Sequence, residues 1–493
     1  MKKKPNIIYI LADDMGYGDV SAFNEFCPFK TRHLDQMCRE GLSFTDAHAT
    51  SAVCTPSRYG ILTGRYNWRS KLKEGVMSGY DRALIEPGRL TVSEFLKENG
   101  YFTAAIGKWH LGMDFAVDES FCISPDYEMC PGVDYSAVIK NSPVDYGFQY
   151  YYGIAGSLDM PPYIYIENNH FTNCPDRETE NKGKKTFWRK GPTGPDFVHE
   201  EVLPRFTEKV LEKIEEYREH PFFIYFAMPA PHTPILPGKE FVGKSGTTDY
   251  GDFVLMCDDV AGRILDKVKE LGLEEDTIII YTSDNGCAPM ADFDELARYG
   301  HNPSYIFRGH KADIYEGGHR VPFIVKWKGT VGEGKKCDRM ICLCDLFATV
   351  AECIGVRIPE NAAEDSVSNL PLWLNPDGPE VRQDIIHQSF DGSLSIRRGR
   401  FKLEMCPGSG GWSYPVPGEE KEGEPAVQLY NLEMDISEQQ NVIQVYPAIA
   451  NQLKNLLAGY VKNGRSTPGI PQKNNGEEIW ERVKWLEEYG ERW

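Results

Sequence analysis

Four short runs of β-branched and aromatic residues, at 6–11, 222–227, 277–282 and 321–327, constrain the fold of this chain more than any other feature. Each is short and bounded by polar residues, as a buried strand is. Between the second and third runs, Phe253, Met256, Val260, Ile264 and Val268 recur at helical spacing, and Gly272 then supplies the stop. Residues 196–218 also predict a helix, with an acidic start, leading through His220 and Pro221 into the strand at Phe222. Strands alternating with helices in this way fold as crossover units of a mostly parallel α/β sheet.

Past about Asn361 the texture becomes polar and turn-rich. Residues 393–404 predict two strands around Arg398-Gly399, residues 427–432 a third, and residues 447–461 and 476–489 two closing helices. Residues 408–423, rich in Gly, Pro and Glu, predict a surface loop. The chain thus divides into a large domain, 1–365, and a smaller α+β domain, 366–493. Residues 114–141 and 168–194 are poorly patterned and long for connections, which makes them candidate walls of a binding site.

With 54 Lys and Arg against 73 Asp and Glu, the net charge of −19 excludes a non-specific nucleic-acid binder. The apolar stretch after the first lysines ends at Asp13, shorter than the core of a secretion signal, and no segment is long enough for a membrane helix. The 13 cysteines show no repeating framework, and Cys342 and Cys344 lack the spacing of a zinc site. A cytoplasmic protein with reduced thiols and no membrane partner is expected.

Asp13 and Asp14 end the first strand, and Asp284 and Asn285 end the third. Ligands collect beyond the carboxyl ends of parallel strands, so these four side chains are candidates for one site. Oxygen donors without His or Cys suit a hard cation such as calcium or magnesium. Either pair alone also fits a turn. Cys54 precedes Pro56 in a segment entering a helix, a position that suits a reactive group and equally a packed thiol.

Cys54-Thr55-Pro56-Ser57-Arg58, followed by Leu62-Thr63-Gly64-Arg65, resembles the signature of the type I sulfatases, in which the cysteine is converted to Cα-formylglycine. Other elements follow in that family's order: Asp13-Asp14, Lys108-Trp109-His110, Pro231-His232-Thr233-Pro234, Asp284-Asn285-Gly286, and Lys311 within Arg308-Gly309-His310-Lys311. Leu429 to Val442 resembles its C-terminal subdomain.

The resemblance implies an alkaline-phosphatase-like α/β sandwich, with a central mixed sheet flanked by helices and a smaller C-terminal α+β subdomain built on a short antiparallel sheet. It implies calcium or another divalent cation, held by Asp13, Asp14, Asp284, Asn285 and the modified Cys54, and a formylglycine-generating maturase as partner. One hydroxyl of the hydrated aldehyde at Cys54 attacks sulfur, Lys108 and Lys311 hold sulfate oxygens, and His232 protonates the departing alcohol. The second hydroxyl, with His110 as base, then expels sulfate, while Arg58 stabilises the diol. The implied substrate is a sulfated hexose or N-acetylhexosamine, galactose-type favoured, cleaved by exo action, with Asp159, Tyr163 and His301 as candidate sugar contacts. Two other readings stand beside it: a phosphonate or phosphate monoester hydrolase, and a non-catalytic protein that binds sulfated glycans.

Overall fold

The structure, a computed structural model, describes residues 4–123, 131–419, 423, 425–476 and 479–489. Strands β1 (Asn6–Asp13), β2 (Phe102–Lys108), β3 (Phe222–Pro231), β4 (Thr277–Ser283) and β5 (Phe323–Lys326) form the middle of a ten-stranded sheet in the order β5-β4-β1-β3-β2. The first four run parallel, as the alternating pattern predicts. β5 runs antiparallel to β4, and antiparallel pairs also occur toward both edges, so the sheet is mixed.

Ile7, Tyr9 and Leu11 enter one hydrophobic core, and Ile8, Ile10 and Ala12 enter another. This alternation is what a strand covered on both faces requires. Helix α1 (Cys54–Thr63) packs Tyr59, Ile61 and Leu62 into the first core; α2 (Val202–Tyr217) and α3 (Asp249–Glu270) cover the second with Phe206, Val210, Val260 and Ile264. α2 begins later than the sequence suggests, after a 3₁₀ turn at His199–Glu201. α3 begins at a Thr248 cap whose hydroxyl accepts Gly251 N–H.

In the C-terminal region, strands Asp384–Gln388, Leu394–Arg398, Phe401–Glu404 and Gln428–Asn431 form an antiparallel sheet. Helix Pro447–Asn463 shares a core with it through Leu453, Leu457 and Val461. The first strand was not legible in the sequence. Of the closing helix expected at 476–489, residues 481–489 form a 3₁₀ helix; 477 and 478 lie outside the described residues. Among the described residues no helix is long and apolar enough to cross a membrane.

A buried polar network ties this C-terminal sheet to the segments carrying Asp46, His48, Glu316 and His319. Lys402 Nζ donates to Glu438 Oε1 at 2.7 Å, lies 3.3 Å from Glu316, and is 3.2 Å from His319 Nε2. His319 Nδ1 and His48 Nδ1 are 3.0 Å apart, and His48 Nε2 is 2.8 Å from Asp46 Oδ1. The Asp46 carboxylate takes the His48 Nε2 proton, while His319 Nε2 faces both the Lys402 ammonium at 3.2 Å and the Ile314 carbonyl oxygen at 3.1 Å. Burial pushes the basicity of both rings below the usual histidine range. Lys402→Ala should lower the unfolding free energy by about 3–5 kcal/mol, since it strands buried carboxylates. Denaturant titration checks this, and a loss below about 1 kcal/mol, the scale of an exposed pair, would contradict it.

Candidate active site

The register of the parallel strands gathers the site. Asp13 lies opposite Pro231, Ala12 opposite Ser283 and Gly107 opposite Ala227, so Asp13, Asp14, Lys108, His232 and Asp284 emerge at one carboxyl edge. β2 reaches that edge only through glycine: Gly107 has φ +113°, and a Cβ there would stand 1.9 Å from the Ala227 carbonyl oxygen. Asp14 has φ +64°, a left-handed conformation that Asp tolerates and that bends the chain just past the strand end. Cys54 opens α1, with Arg58 one turn further along.

Cations and carboxylates interlock here, all buried. Lys108 Nζ sits 3.0 and 2.8 Å from the two Asp13 oxygens, and Lys311 Nζ sits 2.7 Å from Asp14. Arg58 donates from Nε and Nη2 to Asp284 Oδ2 at 3.0 and 2.8 Å, and from Nη1 to the Lys108 carbonyl at 3.0 Å. Burial pushes the Asp13 carboxyl up, but Lys108, His232, Arg58 and Lys311 outweigh it and hold the group well below the usual carboxylate range. Asp284 is pushed up to about 7 by burial, which Arg58 only partly offsets, with Asp13 adding to the rise. The Cys54 thiol is also pushed up by burial, despite Lys108 and Lys311 nearby.

The donor set fits a hard divalent cation. Ligand atoms of Asp13, Cys54 and Asp284 lie within 4.8 Å of one another, and so do those of Asp13, Asp14 and His232. Asn285 donates through Nδ2 to Asp14 at 2.7 Å, yet its Oδ1 is buried without a hydrogen-bond partner. A buried, unpaired amide oxygen beside three carboxylates is the environment of a calcium or magnesium ligand.

Carbonyl oxygens fix the tautomers of the two histidines. His110 Nε2 is 2.6 Å from the Met77 carbonyl oxygen and must carry the proton, so Nδ1, which has no hydrogen-bond partner, presents its lone pair. Burial, with Lys108 and Arg58, holds this ring well below the usual histidine range and keeps it neutral. His232 Nδ1 donates to the Thr233 carbonyl, leaving Nε2 at 3.6 Å from Asp14 Oδ2. One ring can therefore accept a proton at Nδ1 and the other can exchange one at Nε2.

A cavity of about 830 Å³ opens over Asp14, Cys54, His110, His232 and Lys311. Asp159 lines it, paired with Arg189 at 2.6 Å, and the carboxyl is held low by His232 and Arg189 against the upward push of burial. Tyr163 and His301 do not line it. Tyr163 is buried with its hydroxyl on the Arg189 carbonyl, and His301 is buried with Nε2 2.7 Å from Asp19, so their polar atoms serve loop packing. The long segment 168–194 does form a wall, through Lys182, Lys184, Phe187 and Arg189. Among its described residues 114–141 contributes nothing to the lining; 124–130 lie outside the described residues. The lining also includes Glu74, Phe390, Asp391 and Trp412, which sequence reasoning missed. Trp412 belongs to the stretch expected as a surface loop, whose residues 408–411 are buried instead; residues 420–422 lie outside the described residues.

Comparison with known proteins bears on the chemistry of this constellation. The family model described as Sulfatase matches residues 5–356. An N-acetylgalactosamine-6-O-sulfatase of Bacteroides thetaiotaomicron is 33% identical over 92% of this chain and 93% of its own length. An arylsulfatase of Hemicentrotus pulcherrimus is 30% identical over 82% of this chain and 67% of its own. A solved structure described under glycosaminoglycan metabolism by Bacteroides thetaiotaomicron superposes with a TM-score of 0.81 at 32% identity, covering 93% of this chain and 99% of that one. With the family model spanning the parallel strands that carry Asp13, Lys108, His232 and Asp284, the chain belongs to the sulfatase family and is a sulfuric ester hydrolase.

Proposed function

We propose that the enzyme removes sulfate by exo action from a hexose or N-acetylhexosamine, with galactose-type sugars favoured. The observation that carries the reading is Cys54 at the start of α1, facing the cavity among Lys108, Lys311, His110 and His232. The sugar assignment draws on the relative named as an N-acetylgalactosamine-6-O-sulfatase and on a cavity lined by both aromatic and acidic side chains.

Asp13, Asp14, Asp284 and Asn285 would hold a divalent cation, with Cys54 as a further ligand; when bound, it supplies Lewis-acid polarisation of sulfate oxygens. Cys54, converted by a maturase to Cα-formylglycine, would direct a hydroxyl oxygen at sulfur. Lys108 and Lys311 balance charge on the sulfate oxygens. His232 delivers the Nε2 proton to the leaving alcohol while the Thr233 carbonyl holds its Nδ1–H. His110 removes a proton at Nδ1, because the Met77 carbonyl occupies its Nε2–H and burial keeps the ring neutral. Arg58, clamped on Asp284, orients the diol. This reading assigns catalysis to residues 1–365, with 366–493 closing one side of the cavity.

Sulfate release by maturase-treated protein tests the reading against a panel of 6-, 4- and 3-sulfated galactose, N-acetylgalactosamine and N-acetylglucosamine, with matched phosphate esters. Turnover of a sulfated monosaccharide at a kcat/KM at least about a hundredfold above its phosphate analogue is expected, roughly 2.7 kcal/mol of discrimination. Preference for phosphate or phosphonate, or calcium-dependent binding without release, would overturn it.

A further inference from the structure

Part of the cavity lining, Phe390, Asp391 and Trp412, comes from the C-terminal region, and it hangs on the tripeptide 312–314 that follows Lys311. Phe390 N–H donates to the Ala312 carbonyl at 2.9 Å; Trp412 N–H and Ser413 N–H donate to Asp313 Oδ1 at 2.8 and 3.0 Å; Ile314 N–H donates to the Ser409 carbonyl at 2.7 Å. Ala312 itself has φ +81°, a strained value for a residue with a β-carbon. Such strain persists only where surrounding contacts impose it, and here those contacts set the distance between a sulfate-side cation and two aromatic rings.

The rings of Phe390 and Trp412 are 5.4 Å apart, tilted by 53° and half-buried, and both line the cavity. Asp391, which lines the same cavity, is locked in orientation: Oδ1 accepts from Ser389 Oγ and Ser393 N–H at 2.8 and 2.9 Å, and Oδ2 pairs with Arg482 at 2.8 Å. An aromatic face flanked by an oriented carboxylate matches a pyranose ring, which offers apolar C–H faces and equatorial or axial hydroxyls. A steroid or simple aryl group offers no hydroxyls for that carboxylate's remaining acceptor capacity.

We propose that Trp412 and Phe390, with Asp391, form the specificity surface that receives the sugar ring of a pyranoside sulfate. The inference rests on the sulfated-sugar reading above.

Trp412→Ala, Trp412→Phe and Asp391→Asn in maturase-treated enzyme test it, with kcat and KM measured on the best sulfated monosaccharide and on nitrophenyl sulfate, alongside the thermal midpoint. Trp412→Ala is expected to lower kcat/KM on the sugar about ten- to hundredfold more than on nitrophenyl sulfate, mainly through KM, with Trp412→Phe restoring most of it. Asp391→Asn should shift the same ratio in the same direction. Equal losses on both substrates, with a lowered midpoint, would assign these residues a structural role and overturn the proposal, and so would an unchanged ratio. Wild-type enzyme that cleaves nitrophenyl sulfate but no sugar sulfate would instead overturn the underlying reading, and the platform's ligand with it.

Discussion

Cys54→Ser, produced in a host whose maturase modifies only cysteine, is expected to lose multiple-turnover hydrolysis by about a thousandfold or more. The serine offers one hydroxyl where a hydrated aldehyde offers two. In the first step the serine hydroxyl would pass its proton to the neighbouring Asp284 carboxylate as its oxygen forms a bond to sulfur, the S–O bond to the alcohol would break, and His232 would place its Nε2 proton on the departing oxygen. A geminal hydroxyl is then needed to expel sulfate, and serine has none. His110, held with Nδ1 free by the Met77 carbonyl, would have no proton to remove. Mass measurement of the tryptic peptide 40–58 separates the cases: the variant should accumulate a peptide heavier by one sulfuryl group, while wild type should show aldehyde and hydrate in place of thiol. Sustained turnover by the serine variant would remove the diol from the mechanism.

The parts of this site that were legible in the sequence are those whose position follows from strand ends. Asp13-Asp14 and Asp284-Asn285 close β-branched runs, and parallel registry carries them to one edge, so polarity at the end of a strand was informative. Lys108, His110, His232 and Lys311 were legible only through the motifs around them, since an isolated lysine or histidine reads equally as a satisfied core residue. The cavity side formed by Phe390, Asp391 and Trp412 was hidden for a different reason. Gly and Pro content reports local turn preference, whereas Gly410 and Gly411 place the loop inside the molecule by close approach: a Cβ on Gly411 would stand 2.4 Å from the Ala312 carbonyl oxygen. Conversely, His301 and Tyr163 sit in polar, aromatic stretches that resemble a sugar site, but their partners, Asp19 and the Arg189 carbonyl, draw them into the packing. Arg189 carries no local sign of its role; only the fold brings it to Asp159.

The second large effect is expected at Asp13. Asp13→Asn preserves shape and removes one negative charge from a buried group that touches Lys108 through both oxygens and lies 3.4 Å from Arg58 Nη2. Wild-type Asp13 stays charged because Lys108, His232, Arg58 and Lys311 outweigh the upward push of burial. With an amide in its place, the same cations face one carboxylate fewer, and the site should lose affinity for any divalent ion. Calcium at about a hundred times its Kd should stabilise wild-type enzyme by about 2.7 kcal/mol, by binding linkage alone. The variant should show almost none of that gain at the same concentration, and its kcat/KM on a sulfate ester should fall about a thousandfold, equivalent to roughly 4 kcal/mol of transition-state stabilisation. Thermal unfolding with and without calcium, beside a chelator control, gives a readout independent of activity. Undiminished calcium stabilisation together with near-normal turnover would exclude Asp13 from the cation site. Lost turnover with intact calcium stabilisation would place its effect in the orientation of Lys108, because that ammonium has both Asp13 oxygens as its anchor.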